Sequence, residues 1–273
     1  MDQKTSPDHA AIVREILDAT AARRSIPPFS ARAGAFTDAD ATRIVPLTRA
    51  AFERRGERIV GRKIGFTNRT IWPEYGVYAP NWGWMTDRTV REPGANAVVR
   101  AADFVEPRLE PEIMFGFARA PSPGMDERTL LGCIEWIAFG YEIVQSIYPD
   151  WKFTRADTTA ANALHGALLI GERHEVPPRT DAWTGELATF TATLSCNGAV
   201  RDVGGGANVL DSPLSALRHL VELLADDTLN APLAAGDIVS TGTLTRALPV
   251  KAGETWTAAV NGLPLPPAAV TFV

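Results

Sequence analysis

The stretch RLEPEIMFGF, residues 108–117, decides how this chain reads. It alternates as a strand does. Leu109, Pro111, Ile113, Phe115 and Phe117 fall on one side, and Glu110, Glu112, Met114 and Gly116 on the other. Two carboxylates therefore stand side by side against an apolar background. A second apolar run, IAFGYEIVQS (137–146), places Glu142 on one face with Gly140 and Val144, and Phe139, Tyr141 and Ile143 on the opposite face. Carboxylates on apolar strands are costly to bury unless something neutralises them. A hard divalent cation does so, and an all-oxygen ligand set favours magnesium or manganese over zinc. The pattern points to a metal site at Glu110, Glu112 and Glu142. The competing reading is the solvated face of an antiparallel sheet. Pro111 favours that reading, because proline suits an edge strand where exposed acids are ordinary.

Composition narrows the function classes. A formal net charge of −5 and the lack of a dense Lys/Arg stripe with interleaved aromatics exclude a nucleic-acid partner. The basic cluster Arg54, Arg55, Arg58, Arg62 and Lys63 is interrupted by Glu53 and Glu57, as on a solvated helix end. The opening MDQKTSPDHAA is polar, without the apolar core of a signal peptide, and no later run is long enough to span a bilayer. A cytoplasmic protein with no membrane partner is expected. Cys133 and Cys196 read as buried free thiols, and without a Cys/His cluster a structural zinc site is excluded.

The first sixty residues read as helical. Ile12, Val13, Ile16 and Leu17 share one face of a helix from about His9 to Arg23, which Ile26-Pro27-Pro28 stops. A second helix is expected from Thr37 or Asp38 through Phe52, with Pro46 kinking it or marking its real start. From Ile59 onward, short apolar runs suggest strands at 59–66, 109–118, 137–145, 167–170, 187–196, 238–240 and 255–260. Asn197-Gly198 is a hairpin turn signal. One further helix is expected, capped by Asp211 or Ser212, with Pro213 in its first turn and Leu214, Leu217, Val221 and Leu224 on one face. The expected class is α+β, with a helical segment 1–58 packed on a single core 59–273.

Eight segments stand in register: GRKIGFT (61–67), GVYAPNWG (76–83), RLEPEI (108–113), YEIVQS (141–146), DWKF (150–153), DTTAANA (157–163), GGGANVLDSP (204–213) and AGDIVSTGTLT (235–245). Together they resemble the fumarylacetoacetate hydrolase superfamily, in the branch of 2-keto-4-pentenoate hydratases and 4-oxalocrotonate decarboxylases. The resemblance implies a mixed β-sheet roll carrying an N-terminal helical segment. It matches Glu110, Glu112 and Glu142 to the family's metal-binding carboxylates, and Lys63 to a lysine facing the active site. Thr241 and Gly242 are expected to meet a substrate carboxylate, with Asn81 and Lys152 as further substrate contacts. GGGANVLDSP lacks the Lys-Ser/Thr of a P-loop, so its glycines do not argue for a nucleotide.

Departures from the family pattern bear on the reaction. The family's hydratases carry an aspartate where this chain has Asn81, and an Asp-Asn-Ala-Ser run where it has Ala161-Asn162-Ala163-Leu164. A carboxamide does not perform the proton transfers of a carboxylate. His165, next in sequence, is the candidate to supply an acid/base function, beside Lys63. A magnesium- or manganese-dependent lyase is implied, hydrating a 2-hydroxy-2,4-dienoate through its 2-oxo tautomer to a 4-hydroxy-2-oxo acid. A decarboxylase, or another carbon–carbon lyase or hydrolase on the same metal, is the alternative. A non-catalytic partner or small-molecule binding protein is the alternative of another class. The expected partner is a small 2-oxo or 2-enol acid, in a homo-oligomer that can associate with a pathway enzyme.

Overall fold

The computed structural model describes residues 7–32, 36–176 and 180–273. The first six residues of the polar amino-terminal stretch lie outside the described residues. Helix α1 (His9–Ala21) is capped by Asp8, whose side chain accepts from the Ala11 N–H, and buries Ile12, Val13, Ile16 and Ala19. Helix α2 (Asp38–Arg54) starts at Thr37, where a capping box with Asp40 satisfies the first free N–H groups. That cap fixes the start, so Pro46 lies inside the helix and does not begin it.

The remaining elements are β1 (Ile59–Gly65), α3 (Trp72–Tyr75), β2 (Asn81–Thr86), β3 (Val90–Arg91), β4 (Asn96–Val99), β5 (Arg108–Phe117), α4 (Glu127–Leu131) and β6 (Ile134–Val144). They continue as α5 (Arg155–Ala160), β7 (His165–Leu169), β8 (Arg173–Glu175), α6 (Thr180–Thr189), β9 (Thr191–Cys196), β10 (Ala199–Gly205) and α7 (Pro213–Ala225). The chain closes with β11 (Ile238–Thr243), β12 (Leu248–Pro249), β13 (Thr255–Asn261) and β14 (Ala268–Phe272). A nine-stranded mixed sheet runs β2-β1-β11-β5-β6-β7-β3, with β12 beside β5 and β8 beside β6. A five-stranded sheet runs β10-β9-β13-β14-β4. The class is α+β, as expected.

Strand β5 is buried on both faces, and this positions the site. Leu109, Ile113 and Phe115 join the main core with Leu194, Trp256 and Phe272 of the smaller sheet and Leu214 and Leu217 of α7. On the other face Met114 packs with Met85, Ala138 and Leu168. Each fully buried large apolar side chain stabilises the fold by roughly 1.5–3 kcal/mol. Several together offset the cost of carboxylates in the same strand, which is several kcal/mol per unpaired ion. Helices α1 and α2 bury Ile12, Ile16 and Ile44 against Val144, Ile147, Tyr148 and Ala160.

Two expectations are corrected. Pro111 lies in the middle of the large sheet, not at its edge. Its carbonyl accepts from the Leu244 N–H, so its missing N–H faces the flank where β11 leaves regular register between Ser240 and Thr243. The strand expected at 187–196 begins only at Thr191, because 180–189 form a helix. Trp183 and Leu187, one helical turn apart, are both fully buried, and that four-residue spacing wins over the short alternation that follows. The Asn197-Gly198 hairpin stands as read, both residues having positive φ.

Candidate metal centre and substrate cleft

Register brings the acids together. Glu110 lies opposite Glu142 across β5 and β6, and Glu112 lies opposite Gly140. One carboxylate oxygen from each of Glu110, Glu112 and Glu142 lies within 4.8 Å of the others. Their exposures are 9%, 0% and 0%, so the solvated-face alternative fails.

The surroundings of each carboxylate suit a cation. Glu112 Oε2 accepts from the Ser240 hydroxyl and from the Gly242 N–H at 2.9 Å, while its Oε1 is buried without a hydrogen-bond partner. Glu142 Oε1 lies 2.7 Å from His165 Nδ1. Glu142 Oε2 is 3.1 Å from Lys63 Nζ, an ion pair out of hydrogen-bond alignment. Three carboxylates against one ammonium leave two negative charges, the charge a divalent ion neutralises.

The same imbalance moves the titrations. Burial pushes the Glu112 carboxyl well above its ordinary range, and the charges of Glu142 and Glu110 add to this. Burial likewise raises Glu110 to about 7, with Lys63 opposing and Glu142 adding. Burial also pushes Glu142 up, but Lys63 and His165 outweigh it and hold this carboxyl below its ordinary value. For Lys63, burial works against the ammonium, and the three glutamates overcome it and raise its pKa.

Lys63 is 2% exposed and reaches the site from β1, which lies between β2 and β11. Its Nζ donates to the Ala163 carbonyl at 3.0 Å. That carbonyl sits in a turn where Asn162, Ala163 and Leu164 all have left-handed backbone, with φ of 55°, 50° and 62°. Three such residues in succession are strained, and strain of this kind persists only where the surroundings impose it. Here the Asn162 side chain imposes it. Its Oδ1 accepts from the Trp84 N–H at 2.7 Å, and its Nδ2 donates to the Trp84 carbonyl at 2.9 Å.

A cleft opens beside the centre. Lys63, Gly65, Thr67 and Glu110 form its polar end, and Phe66, Tyr75, Val144, Trp151, Phe153 and Leu164 its apolar walls. Thr67 Oγ1 is buried there without a partner. Gly242, at φ +104°, leaves room for it, since a Cβ would come within 1.8 Å of that hydroxyl. Asn81 Nδ2 donates to the hydroxyls of Thr158 (3.1 Å) and Thr159 (3.2 Å). Its unpartnered Oδ1 therefore turns over Gly65, where the missing Cβ would lie 2.5 Å from it and 3.6 Å from Lys63 Nζ.

Other expected site residues fall elsewhere. The Lys152 side chain is 82% exposed and pairs with Asp150 at 3.6 Å, while its neighbours Trp151 and Phe153 face the cleft. The ammonium stays in water because nothing buried neutralises it. The Thr241 hydroxyl is fully buried and donates to the Ile113 carbonyl at 2.9 Å, so it has no donor left for a substrate. Gly242 lines the cleft, but its N–H is spent on Glu112. His165 stands behind Glu142 with both ring nitrogens engaged, Nδ1 by Glu142 and Nε2 by Thr89 Oγ1 at 2.9 Å. Thr67, Ser240 and Asn162 were not singled out from sequence. The first ends GRKIGFT (61–67) and the second lies within AGDIVSTGTLT (235–245), so both lay inside the segments that carry the resemblance. For Asn162 the signal was the residue type, since asparagine tolerates left-handed backbone.

Residues 69–269 match the family model described as fumarylacetoacetate (FAA) hydrolase C-terminal. The 2-hydroxyhexa-2,4-dienoate hydratase of Comamonas testosteroni is 31% identical over 251 residues, 92% of each chain. A 4-oxalocrotonate decarboxylase of a Pseudomonas species is 32% identical over 220 residues, 80% of this chain and 81% of the relative. Among solved structures, the 4-oxalocrotonate decarboxylase of Pseudomonas putida G7, complexed with magnesium and adipate, is similar with a TM-score of 0.87 at 26% identity, covering 99% of this chain and 100% of that one.

Proposed function

The chain belongs to the fumarylacetoacetate hydrolase family, and from that premise we propose that it is a metal-dependent hydratase. It would add water to a 2-hydroxy-2,4-dienoate, through the 2-oxo tautomer, to give a 4-hydroxy-2-oxo acid. The observation that carries this reading is the centre of Glu110, Glu112 and Glu142, with two buried oxygens that accept no hydrogen bond, set beside Lys63 at the polar end of an apolar cleft. Held by those glutamates, a magnesium or manganese ion supplies stabilisation of negative charge on a 2-oxo or 2-enol oxygen.

The rest of the chemistry falls to the chain. Lys63 holds a cation and a transferable proton beside that oxygen, and a positioned acid of this kind is worth roughly 10²–10⁴-fold in rate. The apolar walls exclude bulk water and so strengthen every charge interaction at the polar end. The Thr67 hydroxyl, buried at that end without a hydrogen-bond partner, is suited to orienting a water. His165 acts by fixing Glu142 and does not meet the substrate.

A free hydroxyl able to orient water favours hydration, since decarboxylation needs no water at the reacting carbon. The second reading, a 4-oxalocrotonate-type decarboxylase, draws support from the likeness to the Pseudomonas putida G7 enzyme over 99% of this chain. Proton NMR of products separates them, with Mg²⁺ and 2-hydroxy-2,4-dienoates with and without a distal carboxylate as substrates. A 4-hydroxy-2-oxo acid is expected. Release of carbon dioxide without water addition would transfer the assignment to decarboxylation.

The proposal includes a helical segment 1–58 serving a single core 59–273, a homo-oligomer, and a cytoplasmic setting in which a pathway enzyme can associate. Among the described residues no helix is long and apolar enough to cross a membrane.

A further inference from the structure

The five-stranded sheet has two unlike faces. One belongs to the main core, through Ala97, Leu194, Trp256, Ala258 and Val270. The residues between these point the other way, by the alternation of strands, and are exposed or half-buried. Across that outer face, register lines up Asn96, Ala269, Thr257, Ser195 and Val200, one residue from each of β4, β14, β13, β9 and β10. The flanking rows bring Val98 and Val203 and are otherwise threonine and alanine. None of these positions is charged, in a chain where 22% of residues are. Three of the seven large apolar side chains exposed among the described residues, Val98, Val200 and Val203, stand here, each 60% exposed or more. Charge returns at the rim, where Arg100 follows β4 and Arg201 sits at the β10 bulge.

We infer that this face is the contact between copies of the chain, two sheets packed face to face about a two-fold axis. The inference rests on the proposed homo-oligomer, gives it a surface, and does not depend on the reaction. Charge decides the occupant. At a formal net charge of −5, two copies repel each other unless they meet over an uncharged surface. A partner recognised by charge would find nothing to pair with here. A surface free of charge is complementary to itself, as a two-fold contact requires. Tyr78 and Leu229, exposed elsewhere, stand among charges instead: Tyr78 in a groove with Arg69, Asp126 and Glu222, and Leu229 beside Asp226 and Asp227. The area also suffices. Five strands about 4.8 Å apart, each about six residues long at about 3.3 Å per residue, span roughly 24 by 20 Å. With its side-chain relief, such a face buried on two copies reaches the lower end of stable interfaces, about 1,200 Å² in total.

The test is sedimentation velocity of the full chain, on wild type and on Thr257→Lys, which puts a charge at the centre of the face. Wild type is expected to sediment as a dimer or a multiple of one. Lysines facing each other should weaken self-association roughly 100-fold or more, so the variant should fall to half the mass or less at the same concentration. Thr257 is exposed, so the circular dichroism spectrum should not change. Thr257→Cys carries the test if the lysine variant misfolds. A bismaleimide spanning about 10 Å, the spacing of packed sheets, should join two of its chains and none of wild type, whose Cys133 and Cys196 are buried. A monomeric wild type would overturn the interface and the homo-oligomer together, with the reaction untouched. A wild-type oligomer that a folded Thr257→Lys leaves intact, or that Thr257→Cys does not cross-link, would overturn this surface alone.

Discussion

Glu110 on β5 and Glu142 on β6 stand directly opposite each other across two hydrogen-bonded strands, both buried. Like charges facing one another in this way destabilise a sheet, and more so away from water. The arrangement makes sense when a cation neutralises it. Adding Mg²⁺ or Mn²⁺ to chelator-treated protein is therefore expected to raise the melting temperature, by an amount equivalent to about 2.7 kcal/mol at a metal concentration of 100 times Kd. Glu110→Gln should leave the metal-free protein as stable as wild type or more so, and lower metal affinity about 10-fold or more. A wild-type melting curve indifferent to both ions would remove the metal centre from consideration.

His165 touches Glu142 at 2.7 Å and Thr89 at 2.9 Å and does not line the cleft, so its removal should appear first in metal binding. His165→Ala is expected to weaken Mn²⁺ affinity by roughly 10–100-fold, and His165→Gln, which retains a donor for Glu142, by less. Turnover should return toward wild type once metal is saturating. Turnover that stays low in both variants at any metal concentration would give His165 the acid/base role that its place in the sequence suggested.

Lys63 makes the opposite contrast. Lys63→Met should cut turnover by roughly 100-fold at saturating metal. Metal affinity should hold or rise, because a cation beside the three carboxylates competes with the ion. An unchanged turnover with a poorer KM would reduce Lys63 to a substrate anchor.

The carboxylates were legible because strand alternation is local: Glu110 and Glu112 share a face by their spacing alone, and the GYEIV run placed Glu142 on a second strand. Lys63 came from its segment's resemblance. What stayed hidden was non-local. Nothing around Pro111 tells that β11 bulges beside it, so an edge strand was the reasonable expectation. Lys152 and Trp151 are adjacent, and only the turn after β6 decides which of the two faces the cleft. Thr241 and His165 lie where the family pattern puts site residues, yet Ile113 and Glu142 consume their hydrogen bonds. Sequence marks which residues are near a site more readily than which of their atoms are free.

Acid should loosen the clip between α1 and α2. Asp40 lies 3.0 Å from His9 Nε2 and also accepts from the Thr37 N–H and hydroxyl. The Thr37 hydroxyl, then His9, hold the Asp40 carboxyl below its ordinary value, and a hydrogen bond from Arg32 does the same for Glu15. A depressed folded-state value means stabilisation that is present above the unfolded value, about 4, and is lost as pH falls further. The wild-type advantage over Asp40→Asn in urea midpoint should be largest near neutrality and shrink below about pH 4. An advantage that does not change with pH would mean that the aspartate's charge contributes nothing.

The Asn162 clamp on Trp84 holds three left-handed residues and presents the Ala163 carbonyl to Lys63. Asn162→Ala removes two hydrogen bonds, worth about 0.5–1.5 kcal/mol each, and leaves the backbone groups of Trp84 to find other partners. It also puts a residue with little tolerance for left-handed backbone at φ 55°. A loss of roughly 2–4 kcal/mol in urea unfolding is expected. Turnover should fall while metal affinity stays near wild type, because the carboxylates keep their own partners and only the Lys63 ammonium loses its acceptor. Asn162→Gly separates the two causes, since glycine accepts the backbone conformation without strain but cannot clamp Trp84. If the clamp matters, glycine recovers part of the stability and little of the turnover. Asn162→Gly matching wild type in both would show that the turn holds its shape unaided, and Lys63 would then owe its position to β1 alone.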